Sequence, residues 1–174
     1  MITIISGTNR PNSNSRVVAD YYSSLLQERQ VTHQILDLAD LPEDFIFTAL
    51  YENTGKNELF NKLSDQIAAS EKFVFIVSEY NGSFPGVLKA FIDGLAYPRT
   101  FRDKKAAMVG ISSGSQGGVL AMSHLTDIFN YLGMHVLSQK PRFSYIEKCL
   151  DNNCITNEFY KELLEQQIEK FLKF

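Results

Sequence analysis

Three short stretches of this chain combine glycine, hydroxyl and amide side chains in the way a phosphate or a flat polar ring requires. The first is Gly7-Thr8-Asn9-Arg10-Pro11-Asn12-Ser13-Asn14-Ser15, directly after an apolar run. Hydroxyls at Thr8, Ser13 and Ser15, the Arg10 guanidinium and the free amides of a helix start are what a phosphate monoester needs. The stretch has no Gly-Lys-Ser/Thr ending and no G-x-G-x-x-G, so a single terminal phosphate suits it better than a triphosphate or a dinucleotide. A purely structural alternative stands beside this one: Ser13 caps the helix and Arg10 is a solvated charge.

The second stretch, Glu79-Tyr80-Asn81-Gly82-Ser83-Phe84-Pro85-Gly86, follows the most continuous apolar run, Lys72 to Ser78. A glycine there lets backbone amides approach a planar ligand, and an ordinary turn before a proline-started helix is the plain alternative. The third, Ser113-Gly114-Ser115-Gln116-Gly117-Gly118, is uninformative alone and gains meaning from its position after another apolar run.

That position depends on the elements that carry the three stretches. Strand-like runs stand at Met1–Ser6, Thr32–Leu38, Lys72–Ser78, Ala106–Ser112 and His135–Gln139. Helical spacing of apolar residues fills the intervals, over Ser15–Glu28, Glu58–Ser70, Pro85–Ala96 and Gly118–Leu132, and again over Phe159–Phe171. Pro85 suits a first helical turn and Gly133 a helix stop. Residues 39–57 are irregular, a long loop or short helix. Alternation of this kind implies a parallel sheet covered on both faces. Five strands in 174 residues fit an α/β three-layer sandwich with the flavodoxin-like order 2-1-3-4-5, one domain over residues 1–174. In such sheets ligands bind beyond the carboxyl ends of the strands, where strand order reverses. Strands one, three and four are neighbours in that order, so their three loops should line one polar pocket.

Composition narrows the function classes. Charged residues make up 21% and the net charge is −3, which gives no electrostatic footprint for nucleic acid. No apolar run approaches the ~20 residues that span a bilayer, and no secretory leader is recognisable, so a cytoplasmic protein is expected. Cys149 and Cys154 have neither metal-ligand nor C-x-x-C spacing and read as free thiols. His33, His124 and His135 are scattered and read as structural. No metal site is expected.

At its loops the chain resembles the NAD(P)H-dependent FMN reductase family, flavodoxin-like oxidoreductases that include chromate, quinone and azo reductases. The family pattern G-S-x-R-x-x-S-x-N stands here as Gly7 to Ser15, and P-E-Y-N-G-S followed by P-G-x-L-K stands as Ser78 to Ser83 and Pro85 to Lys89. The likeness runs from Met1 to about Val136. It implies FMN, with its phosphate against Thr8, Arg10, Ser13, Asn14 and Ser15. The ring would lie along Glu79, Tyr80, Asn81, Gly82 and Ser83, with Ser113 and Gly114 on the far side. It also implies NAD(P)H as hydride donor, a small-molecule acceptor, a ping-pong cycle and a homodimer or homotetramer. No catalytic acid, base or nucleophile is expected, because the cofactor carries the chemistry, and Glu79 is expected to act through its backbone. Ser78 replaces the usual proline, Ser15 the usual asparagine, and the usual tryptophan near Gly94 is missing. A flavodoxin-type electron carrier, a receiver-like domain and a flavin-free scaffold are the alternatives. Arg10 speaks against the first, and the lack of carboxylates at Ser6 and Ser78 against the second.

Overall fold

Alternation along the central strands sends their side chains into two separate apolar cores. In the computed structural model, which describes residues 1–174, β1 (Ile2–Ser6) is buried throughout. It is followed by α1 (Asn14–Glu28), the half-buried β2 (His33–Asp37), α2 (Phe45–Thr48), α3 (Glu58–Ala68) and β3 (Lys72–Ser78). Next come α4 (Gly86–Gly94), β4 (Lys105–Ile111), α5 (Val119–Tyr131), β5 (His135–Val136) and β6 (Arg142–Phe143). A small β7 (Leu150–Asp151) and β8 (Cys154–Ile155) precede the final α6 (Glu158–Lys173). The sheet is parallel with order β2-β1-β3-β4-β5, as the strand and helix alternation predicts.

Ile5, Phe73, Phe75, Val77 and Met108 face one way and pack on Phe60 of α3, Phe91 of α4 and Phe129 of α5. Ile4, Val74, Ile76, Val109 and Ile111 face the other way onto Val18 and Tyr22 of α1 and Ile168 and Phe171 of α6. Burial on both faces removes each strand from water, which explains near-continuous apolar runs rather than half-polar ones. The register sets Ser6 beside Ile76 and Ser78 beside Ile111, so β1, β3 and β4 end together at one edge.

The fifth strand departs from the expected His135–Gln139. It is broken into β5, paired with Lys105–Ala106, and β6, paired with Gly110–Ile111. Pro141 lies in the gap and has no N–H to give a ladder, although its carbonyl accepts from Gly110 at 2.9 Å. The Gln167 amide of α6 replaces the missing rungs, donating to the carbonyls of Met108 and Gln139 at 2.9 Å each.

Residues 39–57 form two 3₁₀ turns around α2 and are held by Phe45 stacked on Phe60 at 5.7 Å. Pro85 stands one residue before α4 as its cap position rather than within the first turn. β7 and β8 form a hairpin whose two-residue turn, Asn152-Asn153, has φ of 46° and 59°, the left-handed geometry that such a turn needs. No helix is long and apolar enough to cross a membrane.

Candidate functional site

A cavity of about 420 Å³ opens at the edge where β1, β3 and β4 end. Thr8, Arg10, Ser13, Asn14, Glu79, Tyr80 and Ser113 line it together. Ser15 lies buried beneath, and Asn81, Gly82, Ser83 and Gly114 do not line it. Pro11, Asn12, Ser78, Ile111, Ser112 and Glu147 also line it, none of them among the expected ligand contacts. The first two are interleaved in the first loop, and Ser78 and Ser112 are the last residue of one strand and the first after another. For Glu147 the sequence offers no signal.

In the first loop Ser13 caps α1, its hydroxyl accepting from the Arg16 amide at 3.2 Å, so the structural role weighed for it is real. Below it the amides of Asn12, Ser13, Asn14 and Ser15 find no acceptor in the chain. Arg10 belongs to none of the ion pairs, whereas Arg16 joins Asp20 at 2.8 Å and Asp37 at 3.3 Å. The bond to Asp20, with that to Asp37 behind it, raises the Arg16 pKa above its ordinary value. One guanidinium is thereby tied down and the other left for a ligand. Free helix-start amides beside an unpaired arginine attract an anion. The Thr8 hydroxyl meets the Tyr80 hydroxyl at 2.9 Å and ties the first loop to the second.

The second loop is a tight turn. Tyr80 and Ser83 exchange backbone hydrogen bonds of 2.7 and 3.0 Å around Asn81 and Gly82, whose φ values are 52° and 73°. Asn-Gly is the pair that adopts left-handed geometry at both positions most readily. The turn leaves the Asn81 and Gly82 amides without acceptors and runs onto α5, where the Ser83 hydroxyl meets His124 Nδ1 at 2.9 Å. His124 is thus joined to the second loop. His33, by contrast, ties β2 to α1 through Ser23.

Glu79 is doubly committed. Its amide donates to the Ile111 carbonyl at 2.9 Å, so the backbone N–H is not free for a ligand, and its carboxylate accepts from the Gly118 amide at 3.1 Å. That bond pins the start of α5 to the end of β3, where negative charge is favoured by the helix dipole. The third loop folds back on its own strand: a side chain at Gly110 would meet the Gly117 carbonyl at 2.3 Å. The Ser112 hydroxyl accepts from the Gly117 amide and donates to the Gly114 carbonyl, both at 2.8 Å. The amides of Ser113, Gly114 and Ser115 remain unpartnered.

Two departures from the family pattern meet in space. Ser15 and Ser78 share a hydrogen bond of 2.6 Å between their hydroxyls. A proline at 78 has no hydroxyl to offer, so this bond depends on serine at both positions.

The geometry defines a class: a doubly wound, flavodoxin-like protein whose polar cleft, with anion site and free amides, suits a mononucleotide carrying a planar ring. The sequence model described as NADPH-dependent FMN reductase matches residues 1–145. The chain is 26% identical over 175 residues to a 2-hydroxy-1,4-benzoquinone reductase of a Burkholderia species, covering 98% of this chain and 93% of that protein. It is 30% identical over 173 residues to an NAD(P)H-dependent FMN reductase of Pseudomonas aeruginosa, covering 95% and 89%. Among solved structures it is similar to FerB, a flavoenzyme NAD(P)H:(acceptor) oxidoreductase of Paracoccus denitrificans. The TM-score is 0.77 with 25% identity over 99% of this chain and 94% of that one.

The chain belongs to the NADPH-dependent FMN reductase family. It is an oxidoreductase that uses FMN with NAD(P)H as donor. The donors on the cavity wall suit that cofactor: an arginine outside every ion pair and helix-start amides for a phosphate, and the free Ser113 amide with the Tyr80 hydroxyl for a polar ring.

Proposed function

We propose that residues 1–174 act as one unit that reduces quinone-type acceptors in a ping-pong cycle, the nicotinamide and the acceptor using one place in turn. The observation that carries this reading is the one cavity that joins an unpaired arginine and free helix-start amides to Tyr80 of the second loop and the free Ser113 amide of the third. Thr8, Arg10, Ser13, Asn14 and the Ser15 amide take the FMN phosphate. Tyr80, Asn81, Gly82 and Ser83 run along one side of the ring, Ser113 and Gly114 along the other, and Glu79 holds the third loop in place. Held by these residues, FMN would supply two-electron hydride chemistry between the nicotinamide and the acceptor. The protein's share is alignment and electrostatics: rigid amides aimed at the ring cost no reorganisation at the moment of transfer. The relative named for a benzoquinone supports the acceptor class.

The same reading makes the chain a homodimer or homotetramer. An apolar groove of about 520 Å³ between α4 and α5 is lined by Ile92, Leu95, Tyr97, Ile128, Tyr131 and Leu132. Tyr97 and Tyr131 stack at 6.3 Å while 66% and 78% exposed, which favours a covering partner. The place of work is the cytoplasm, where reduced nicotinamides are made and an exposed thiol such as Cys154 stays reduced.

The test is binding of FMN against riboflavin by quenching of flavin fluorescence, with anaerobic bleaching by NADH and NADPH. Arg10→Ala should weaken FMN binding by about 10- to 100-fold, the worth of a charge-assisted hydrogen bond, and leave riboflavin binding alone. Equal loss for both flavins would place the phosphate elsewhere, and no bleaching by either nicotinamide would refute the activity.

A further inference from the structure

Two residues beyond the segment that matches the family, Glu147 reaches back into the flavin cavity. It arrives there because the chain after β6 is fastened to the third loop bond by bond. The Ser144 hydroxyl donates to the Ser115 carbonyl at 2.7 Å, the Tyr145 amide to Gly114 at 2.9 Å and the Ile146 amide to Ser112 at 3.0 Å. The last bond runs between side chains: the Ser113 hydroxyl donates to Glu147 Oε1 at 2.7 Å. Tyr145, at φ 50°, makes the left-handed bend that turns the chain into the 3₁₀ turn bearing Glu147.

Three charged side chains line the cavity, Arg10, Glu79 and Glu147, and they differ in what compensates them. Glu79 sits on a peptide N–H at the start of α5. Arg10 stands in the loop read as the phosphate site. Glu147 has only a neutral hydroxyl, takes part in no ion pair, and the adjacent Lys148 is turned over the Tyr145 ring at 5.1 Å. An uncompensated carboxylate on the wall of a site disfavours any ligand state that gains negative charge. A flavin that has accepted a hydride is such a state, because its ring is then anionic near neutral pH.

We propose that Glu147 has two roles in the flavin site, positioning the third loop through Ser113 and holding a charge that weakens binding of reduced FMN relative to oxidised FMN. A flavin bound this way gives up electrons more readily, which suits an enzyme whose second half-reaction reduces an acceptor. The inference rests on the FMN reading above. Two like charges on the order of 10 Å apart, at an effective dielectric between that of water and that of a protein surface, change a ratio of affinities by about two- to fifteen-fold, which sets the scale of the expected effect. Because Glu147 is exposed, the effect is larger at low salt than at high.

The experiment compares wild type, Glu147→Gln, Glu147→Ala and Glu162→Gln, the last an exposed acid of α6 away from the cavity. Dissociation constants for oxidised FMN come from fluorescence quenching. Midpoint potentials of the bound flavin, against reference dyes at low and high salt, then give those for the reduced form. Glutamine keeps an acceptor for Ser113 and removes the charge, so it should raise the affinity for reduced FMN relative to oxidised by about two- to fifteen-fold at low salt. Alanine should raise the ratio equally and also weaken oxidised FMN, since the loop loses its fastening. A ratio in Glu147→Gln equal to that in Glu162→Gln overturns the charge role. Oxidised FMN bound as tightly by the alanine variant as by wild type overturns the positioning role. Failure of wild type to bind FMN refutes the functional reading itself and is seen before any variant is measured.

Discussion

The Ser15–Ser78 pair gives the sharpest test of how the first loop is attached to the sheet. Ser15 is wholly buried in the first turn of α1, whereas Ser78 ends β3 on the cavity wall, and their hydroxyls lie 2.6 Å apart. Ser78→Ala removes the bond and strands a hydroxyl that water cannot reach, which costs about 1–3 kcal/mol. Ser15→Ala removes the same bond but leaves Ser78 able to face water in the cavity, so about 0.5–1.5 kcal/mol is expected. The double alanine variant leaves no unsatisfied group and should cost less than the sum of the two. The expected coupling is therefore about 1–2 kcal/mol, with Ser78→Ala alone lowering the melting temperature by roughly 2–10 °C in a chain of this size. Urea unfolding of the flavin-free protein, followed by far-ultraviolet circular dichroism, measures all four corners of the cycle. Additivity within about 0.5 kcal/mol would refute the pairing. So would a larger cost for Ser15→Ala than for Ser78→Ala.

Gly110→Ala should be destabilising by about 1–3 kcal/mol through overpacking against the Gly117 carbonyl and Met122, and should loosen FMN because the third loop must move. Thermal melts and flavin titration check both, and a stable variant with unchanged affinity would show that the loop does not depend on this contact. The two thiols should react in sequence with a disulfide reagent at mildly alkaline pH. Exposed Cys154 goes first and buried Cys149 lags, since burial and then the Glu147 charge push its thiol pKa up. Equal rates in the folded protein, rather than only in urea, would contradict that burial.

Much of the fold was readable along the chain because burial on both faces gives the central strands unbroken apolar runs, and α1, α4 and α5 unmistakable periodicity. Strand order followed from the βα alternation and length. The three loops were placed by their chemistry, and Tyr80-Asn81-Gly82-Ser83 carries its turn geometry in its own residues. The fifth strand was legible only as a direction of chain. Its break depends on a rung supplied by Gln167 in α6, about thirty residues on, and no local pattern announces a side chain that replaces a backbone partner.

The site divides in the same way. Thr8, Arg10 and the helix-start amides belong to one loop, and their types and spacing pointed to an anion beside the structural alternative of a helix cap and a solvated charge. Which residues face each other across loops was decided in three dimensions: Thr8 with Tyr80, Ser15 with Ser78, Glu79 with Gly118, Ser113 with Glu147. Local sequence specifies backbone geometry and the donors on offer. Partners that are distant in the chain are set by strand register and by the packing of helices on the sheet, and these exist only once both cores have formed.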